Sequence, residues 1–217
     1  MTELELKSQW QATNEKLERS LVINKSMTDD ITGLKVLGLL GSMKPIKVFT
    51  LSIGILWVLF GAGALSSVFL NSFAEANKFF LYSASIQVGL TAIALFVYLY
   101  QLITIHRIDI SEPIIRTQQK LSSLRISTLW VTRILLLQLP VWTTFWWNET
   151  MLTGWGILQW MVVLFFTISS IVVSIWLFVN IKYENRNKKW FQLIFRGKEW
   201  TPLMKSIQLL EELEEYK

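Results

Sequence analysis

The side chains that could carry out chemistry in this chain are few. It has one histidine, His106, and no cysteine. Without cysteine there is no disulfide, thiolate metal site or cysteine nucleophile, and one histidine cannot form a bis-histidine haem site within one chain. Asp109 and Glu112 follow His106 closely, but their spacing matches no metal-binding motif. Because no Walker-type loop, Ser/His/Asp arrangement or catalytic carboxylate pair is recognisable either, we predict a non-enzymatic protein without cofactor or metal.

The remaining polar groups of interest lie inside apolar sequence. Arg133 stands about two turns into an apolar run, where a charge costs about 2.5–3.5 kcal/mol at mid-bilayer. It either snorkels and hydrogen-bonds Gln101 or backbone carbonyls, or faces a helix bundle and binds an anion or lipid headgroup. Gln87, Gln138 and Gln159 are the other predicted intramembrane polar side chains. Their depths differ along the runs, so they do not by themselves predict a transport path.

Four long apolar runs must position these groups. They span residues 48–71, 79–105, 126–147 and 155–181, and none contains Asp or Glu. A helix of about 20 apolar residues crosses a bilayer. We therefore predict an all-α polytopic membrane protein: a four-transmembrane-helix bundle (48–181) with short amphipathic cytoplasmic helices at the N-terminus (1–47), in the middle loop (106–125) and at the C-terminus (182–217).

The distribution of positive charge predicts the orientation of the bundle. Nineteen of the 21 Lys and Arg residues fall in 1–47, 105–127 and 181–217. The positive-inside rule then places both termini and the middle loop in the cytoplasm. The hairpins near 71–78 and 148–154 lie outside. This rule explains the net charge of +5 better than nucleic-acid binding does.

The N-terminal segment predicts two helices. The first, residues 3–21, has a narrow apolar stripe typical of a helix-pairing seam. The members of this stripe are Leu6, Trp10, Leu17 and Leu21. Residues 22–28 are polar and predict a break, after which Thr28 caps a second helix over 31–43. Pro45 predicts a kink or break before the first membrane run.

Two further amphipathic helices are predicted on the same side of the membrane. Ser111 is a candidate cap for a middle-loop helix that continues into the third run. A C-terminal helix should begin at Thr201-Pro202 by the same logic. The apolar stripes of these helices comprise Ile114, Leu121 and Leu124 in the first, and Leu203, Ile207, Leu210 and Leu213 in the second. Short amphipathic helices are marginal alone, so we expect all of them to pack into one layer under the membrane.

The C-terminal helix ends in an acidic cluster, Glu211, Glu212, Glu214 and Glu215. Acidic groups at a helix C-terminus oppose the helix dipole. We expect this cluster to meet a basic surface, either of a partner protein or of the middle loop; the alternative is a solvated, frayed end. The predicted partner-binding residues are Trp10, Leu17, Arg116, Lys120, Leu121, Arg125, Ile207, Leu210 and the four glutamates.

Small and aromatic residues indicate how the membrane helices pack. Pairs such as Ala62 with Ser66 and Gly63 with Ser67 allow close helix approach, which favours packing within one chain over a dimer face. Five tryptophans crowd the ends of runs three and four, and such a belt typically anchors a protein at the lipid boundary. These are Trp142, Trp146, Trp147, Trp155 and Trp160.

Three polar segments resemble a known group of proteins. They are ELELKSQWQ at 3–11 with LVIN at 21–24, IDISEP at 108–113, and the tail around 206–213. Together these segments resemble a group of small inner-membrane proteins of Bacteroidota, which are often encoded beside extracytoplasmic-function sigma factors. The resemblance implies a role in regulation or envelope stress. It carries over no catalytic residue.

Two functions are compatible with these features. The first is a regulatory or scaffolding membrane protein that presents cytoplasmic helices to a soluble or membrane partner. The alternative is an oligomeric pore-forming or ion-conducting effector, for example in anti-phage defence. The expected partners are the lipid bilayer, a protein on the cytoplasmic face and, in the second case, further copies of the chain; no nucleic acid is expected.

Overall fold

A computed structural model describes residues 3–109, 114–197 and 199–215. Within these residues all regular secondary structure is helical, and there are no strands. The elements are α1 (Glu3–Gly41), α2 (Lys44–Asn71), α3 (Lys78–His106), α4 (Ile114–Leu136), α5 (Leu139–Thr144), α6 (Glu149–Gly154), α7 (Ile157–Asn180), a 3-10 turn (Tyr183–Asn185), α8 (Lys189–Ile194) and α9 (Trp200–Glu215). The all-α class is therefore confirmed.

Four helical stretches of the described chain are long and apolar enough to cross a membrane. One contains α2, the second is α3, the third combines α4 and α5, and the fourth is α7. In the bundle, α2 packs on α3, α3 on α4 and α5, and α7 on α4 and α5. We call the end at Lys47, Ile105 and Ile181 the basic end, and the opposite end, at Trp147 and Trp160, the tryptophan end.

Two glycines allow α2 to lie close to α3. A Cβ atom at Gly54 would overlap the side chain of Leu95, and one at Gly61 would come within 2.9 Å of Val88. These residues are seven apart and therefore share one face of the helix. Neither glycine belongs to the pairs named from the sequence, although the Gly61 contact agrees with the prediction that small residues serve packing within the chain. A Cβ atom at Gly63 would meet nothing within 4 Å, so close packing of α2 on α3 does not explain the glycine at this position.

The third membrane stretch is not the uninterrupted helix predicted over 126–147. As expected, the middle-loop helix continues into it as α4, although the predicted cap at Ser111 lies outside the described residues. The helix then breaks at 137–138, and α5 begins at Leu139 with Pro140 in its first turn. Proline cannot donate the backbone hydrogen bond that would continue α4. Pro140 is the residue in the sequence that indicates this break, which was not predicted.

The predicted break at 22–28 is wrong, because α1 is one helix of 39 residues. Thr28 does not cap a second helix; its hydroxyl donates instead to the carbonyl oxygen of Asn24 one turn earlier, at 2.9 Å. The polar residues of this stretch are exposed and interrupt no packing. The second predicted boundary is confirmed: α1 ends at Gly41, and Pro45 lies in the first turn of α2, where its missing N–H costs nothing.

The C-terminal region contains more structure than the single predicted helix. A 3-10 turn and α8 precede α9, and α8 buries Phe191 completely against Phe195, Leu129 and Ile181. The predicted start of α9 at Thr201 is correct to within one residue. The connection between α7 and α9 is therefore a packed segment at the basic end, and it holds α9 against the bundle.

The tryptophan end is organised by aromatic contacts. The rings of Trp147 and Trp160 are 5.9 Å apart and perpendicular, and Trp155 lies 6.3 Å from Trp160. The segment 148–154, predicted to be only a hairpin, contains the short helix α6, which is capped by the side chain of Asn148. These contacts agree with a clustered aromatic belt at one end of the bundle.

Candidate functional site

The amphipathic helices form one packed unit at the basic end. Its side chains come from the last turns of α1, the first half of α4, α9 and the end of α3. The buried members are Val36, Leu40, Met43, Ile105, Ile108, Leu121, Leu124, Leu203, Ile207 and Leu210. We call this unit the helix layer. The end of α1, α4 and α9 pack together as expected, but Trp10, Leu17 and Leu21, which were expected in the same layer, are exposed. The layer includes three predicted partner-binding residues, which are buried inside the protein instead: Leu121, Ile207 and Leu210.

A buried lysine joins the helix layer to the membrane helices. Only 1% of Lys47 is exposed. Its ammonium group donates to Oε1 of Gln101 at 2.6 Å and to Oε2 of Glu199 at 3.1 Å, and it lies 4.4 Å from the ring centre of Tyr98. In the sequence, Lys47 is one of the 19 positive charges in the three segments that predict the orientation, and its neighbours do not mark it as buried. A buried ammonium group requires such partners, because charge is costly away from water.

Gln101 completes this buried network. Its carbonyl oxygen accepts from Lys47, while its amide donates to the hydroxyls of Ser127 at 3.1 Å and Thr128 at 3.4 Å on α4. Gln101 is fully buried. One amide thus links α2, α3 and α4 at the basic end. Gln101 forms no hydrogen bond with Arg133, which was one of the two partners predicted for a snorkelling arginine.

Arg133 binds the backbone at the end of α7. Its Nε donates to the carbonyl oxygen of Ile181 at 2.7 Å, and a second guanidinium nitrogen donates to the same oxygen. That carbonyl lies just past the last turn of α7, where a cation interacts favourably with the helix dipole. Ile181 is fully buried. The contact agrees with the first of the two alternatives for Arg133, an arginine that hydrogen-bonds backbone carbonyls. Two of its guanidinium nitrogens donate to this one carbonyl oxygen.

The predicted intramembrane glutamines have different environments. Gln159 is exposed and its side chain accepts from the backbone N–H of Gly156, so it caps α7 and is not buried. Gln87 is 8% exposed and its amide nitrogen has no hydrogen-bond partner among the described residues; the same holds for the amide of Gln138 and the hydroxyl of Thr167. Thr167 was not predicted from the sequence, because threonine is common in membrane helices and a single one does not stand out.

Gln87 and Thr167 lie at a similar depth in the bundle. Gln87 comes nine residues after Lys78, where α3 begins, and Thr167 comes ten after Ile157, where α7 begins. At 1.5 Å per residue, both are about 14–15 Å from the tryptophan end. If these helices cross a bilayer, that depth corresponds to the middle of a hydrocarbon core about 30 Å thick. Polar groups left unsatisfied at this depth are costly.

The described side chains of the acidic cluster, Glu211 and Glu212, form no ion pair with the middle loop. Glu211 and Arg125 line the same small cavity of about 200 Å³, but no salt bridge joins them. The guanidinium of Arg125 instead lies 4.1 Å from the ring centre of Tyr183. Glu212 accepts from Gln208 on its own helix, at 2.9 Å. The side chains of Glu214 and Glu215 lie outside the described residues, and contact with a partner protein remains a prediction.

The predicted basic surface of the middle loop is only partly available. Arg116 is exposed. Lys120 is half-buried and donates to the carbonyl oxygen of Arg107, at 2.5 Å, beyond the last turn of α3. Lys120 therefore helps to fix the start of the middle loop. Of the three predicted basic residues, Arg116 is the one that is openly presented.

α1 carries two opposite faces. Val36 and Leu40 are buried against α9 in the helix layer. At 3.6 residues per turn, the positions of a second stripe fall roughly opposite to them. This outer stripe consists of Trp10, Leu17, Asn24, Met27, Ile31 and Leu34. Its spacings of seven, seven, three, four and three follow a heptad, and its five apolar members are each 53–69% exposed.

No protein-family model matches the chain, and neither a curated protein nor a solved structure is detectably similar to it. Among the described residues, no group of three His, Asp or Glu side chains comes together to hold a metal ion. What the described residues do present is the exposed outer stripe of α1. A helical arm with an exposed heptad stripe is fixed to a membrane-helix bundle through a buried polar network.

Proposed function

We propose that this protein is a non-enzymatic membrane protein that presents α1 to a protein partner, in a regulatory or scaffolding role. The observation that carries the proposal is the outer stripe of α1. The opposite face of α1 is the one that packs against the rest of the protein, since Val36 and Leu40 are buried there. A second apolar stripe, exposed over residues 10–34, has no role in that packing and has the heptad spacing by which helices pair.

The partner surface is proposed to be cytoplasmic. Positive charge is concentrated in the three segments at the basic end, and such segments stay on the cytoplasmic side. The partner is proposed to offer a helix with its own apolar seam, because a helix face of this kind docks against another helix or into a groove. Given the likeness of the polar segments to proteins encoded beside sigma factors, the proposed setting is envelope-stress regulation in a bacterial inner membrane.

The buried network around Lys47 holds the end of α1 in place relative to the membrane helices. Glu199 precedes α9 directly and pairs with Lys47 of α2. α9 in turn packs on α1. A partner bound to the outer stripe would therefore be held at a defined position relative to the membrane helices, as a scaffold requires.

The test uses a surface variant and a matched control on the same helix. Leu17→Asp places one charge in the outer stripe. Val22→Asp places one at a residue that is also exposed, 69%, but lies on the opposite side of α1. Each tagged protein is purified from the native host, and the co-purified proteins are compared by mass spectrometry. We expect one partner to be lost in the stripe variant and retained with Val22→Asp. Equal recovery from both variants would contradict the proposal.

A second candidate, an oligomeric pore or ion-conducting effector, is favoured by one observation. Gln87 and Thr167 carry buried polar atoms without partners at a similar depth in the bundle. In a pore, such groups would face water or an ion. Conductance of the purified protein in planar bilayers, together with its mass in mild detergent, separates the candidates. A conducting ring of four or more chains supports the pore, and a non-conducting monomer or dimer supports the scaffold.

A further inference from the structure

A cleft of about 550 Å³ opens between the α1–α2 junction and the start of α9. One wall is apolar and belongs to Leu39 and Ile46. The other carries Arg196, which precedes α9, and Lys205 of α9. The cleft therefore combines an apolar side with two cations, and the hydroxyl-bearing residues Ser42 and Thr201 complete its lining.

The two cations are not neutralised within the described part of the chain. The ion pairs found there are Arg19 with Glu15 and Lys47 with Glu199. Arg196 and Lys205 are both exposed. The start of α9 adds positive potential, because Thr201 and Pro202 lie in its first turn and the helix has 16 residues. Like charges placed together around a cleft indicate an anionic ligand.

The position of the cleft indicates where that anion is found. Val48 and Phe49, two and three residues after Ile46, are exposed apolar residues at the start of the first apolar run. The cleft thus lies where α2 would leave the hydrocarbon core. Phosphate groups of lipids occupy this level of a bilayer, and basic pockets on the cytoplasmic side of membrane helices bind anionic headgroups.

We propose that this cleft binds a phosphate group at the membrane surface, namely the headgroup of an anionic phospholipid. Arg196 and Lys205 contact the phosphate oxygens, and arginine offers paired donors that suit this geometry. Leu39 and Ile46 contact the glycerol and upper acyl carbons. The lipid would then hold the segment before α9 against the α1–α2 junction from the membrane side.

The test compares lipids on the purified full-length protein in detergent. Short-chain phosphatidylglycerol, short-chain phosphatidylcholine and inorganic phosphate are titrated separately, and the melting temperature is recorded. A ligand that binds only the folded state raises it. We expect phosphatidylglycerol to stabilise the protein and phosphatidylcholine to do so much less. Arg196→Gln with Lys205→Gln should lower the affinity for phosphatidylglycerol about tenfold or more.

The matched control removes two other charges from the same region. Lys188 lies directly before α8 and Lys189 is its first residue. Both are exposed, and neither lines the cleft. Lys188→Gln with Lys189→Gln should leave the lipid affinity unchanged, although the net charge falls equally. Native mass spectrometry gives a second readout of bound lipid if either variant is less stable. Equal responses to the two lipids, or equal losses in the two variants, would overturn the proposal. A response to inorganic phosphate as large as that to phosphatidylglycerol would reassign the site to a soluble anion.

Discussion

The ammonium nitrogen of Lys47 and a carboxylate oxygen of Glu199 lie 3.1 Å apart, although the residues are 152 positions apart in the chain. Lys47 is almost completely buried, and the Glu199 side chain is only 23% exposed. The pair joins the start of the first membrane stretch to the residue before α9. It therefore fixes the helix layer, and the α1 arm packed within it, to the membrane helices.

Removing the carboxylate should be strongly destabilising. Glu199→Gln leaves the Lys47 charge buried with Gln101 as its remaining close acceptor, and we expect a loss of about 3 kcal/mol in the free energy of unfolding. The measurement is denaturant titration in detergent micelles. Because the pair is buried, the loss should persist at high salt.

The exposed pair Arg19–Glu15 provides the control for this prediction. Its side chains are 76% and 64% exposed, so Glu15→Gln should change stability little. Adding Lys47→Met to Glu199→Gln should restore part of the lost stability, because no unpaired charge remains. If the two changes are simply additive in the double-mutant cycle, the pair does not act as described.

The helix layer should respond as one unit to changes in different helices. Leu121 of α4 and Ile207 of α9 are both buried there and line a common cavity. Each change to alanine should cost about 2–5 kcal/mol through lost burial and the remaining void. The two costs should not add, since each truncation loosens the surroundings of the other. Leu193→Ala, at a residue 76% exposed, is the control and should have little effect. Additive losses at 121 and 207 would mean that the helices are independent.

Two glutamines on α3 should respond in opposite directions to the same substitution. Gln87→Leu removes a buried amide nitrogen that has no partner and should stabilise the protein by about 1–3 kcal/mol. Gln101→Leu removes the acceptor for Lys47 and should destabilise it. Unfolding in one detergent compares the two directly. A loss of stability on Gln87→Leu would show that its amide has a partner in the folded protein. If the change stabilises the protein but abolishes conductance, the pore is favoured.

The orientation can be tested with single cysteines, since the chain has none of its own. Ser72 and Thr150 are exposed near the tryptophan end, and Gln208 is exposed on α9. Ser206 is less suitable because it is fully buried. An impermeant maleimide should label Ser72→Cys and Thr150→Cys in intact cells, and Gln208→Cys only after permeabilisation. Labelling at 208 in intact cells would reverse the proposed orientation.

The features that the sequence predicted well depend on local pattern. The four apolar runs have length and composition enough to define their helices, and Pro45 marks the boundary before α2. The packing of α4 against α9 was predictable because apolar residues recur at helical spacing within each helix: Leu121 and Leu124 in α4, Ile207 and Leu210 in α9. Short helices of this kind are only marginally stable when isolated.

The features that were missed depend on contacts between distant residues or on competing local effects. Nothing near Lys47 indicates that Glu199 will neutralise it. The polar residues within 22–28 resemble those of a loop, but this stretch is part of α1. Exposed polar side chains are compatible with a helix when the turns on either side are stable. Gln159 resembles an intramembrane polar group by position, but it lies in the first turn of α7, where an unpaired backbone N–H is available to it.

Site-specific photocrosslinking at the outer stripe of α1 tests the central claim most directly. A benzophenone amino acid replaces Leu17 or, as the control, Val22, in the full-length protein expressed in its native host. We predict a discrete adduct with a different protein from position 17 after irradiation, and none from position 22. No adduct at position 17, or the same adducts from both positions, would contradict the claim that this stripe is a docking surface. An adduct of twice the mass of the chain would show that the stripe pairs with a second copy, contradicting a separate protein partner.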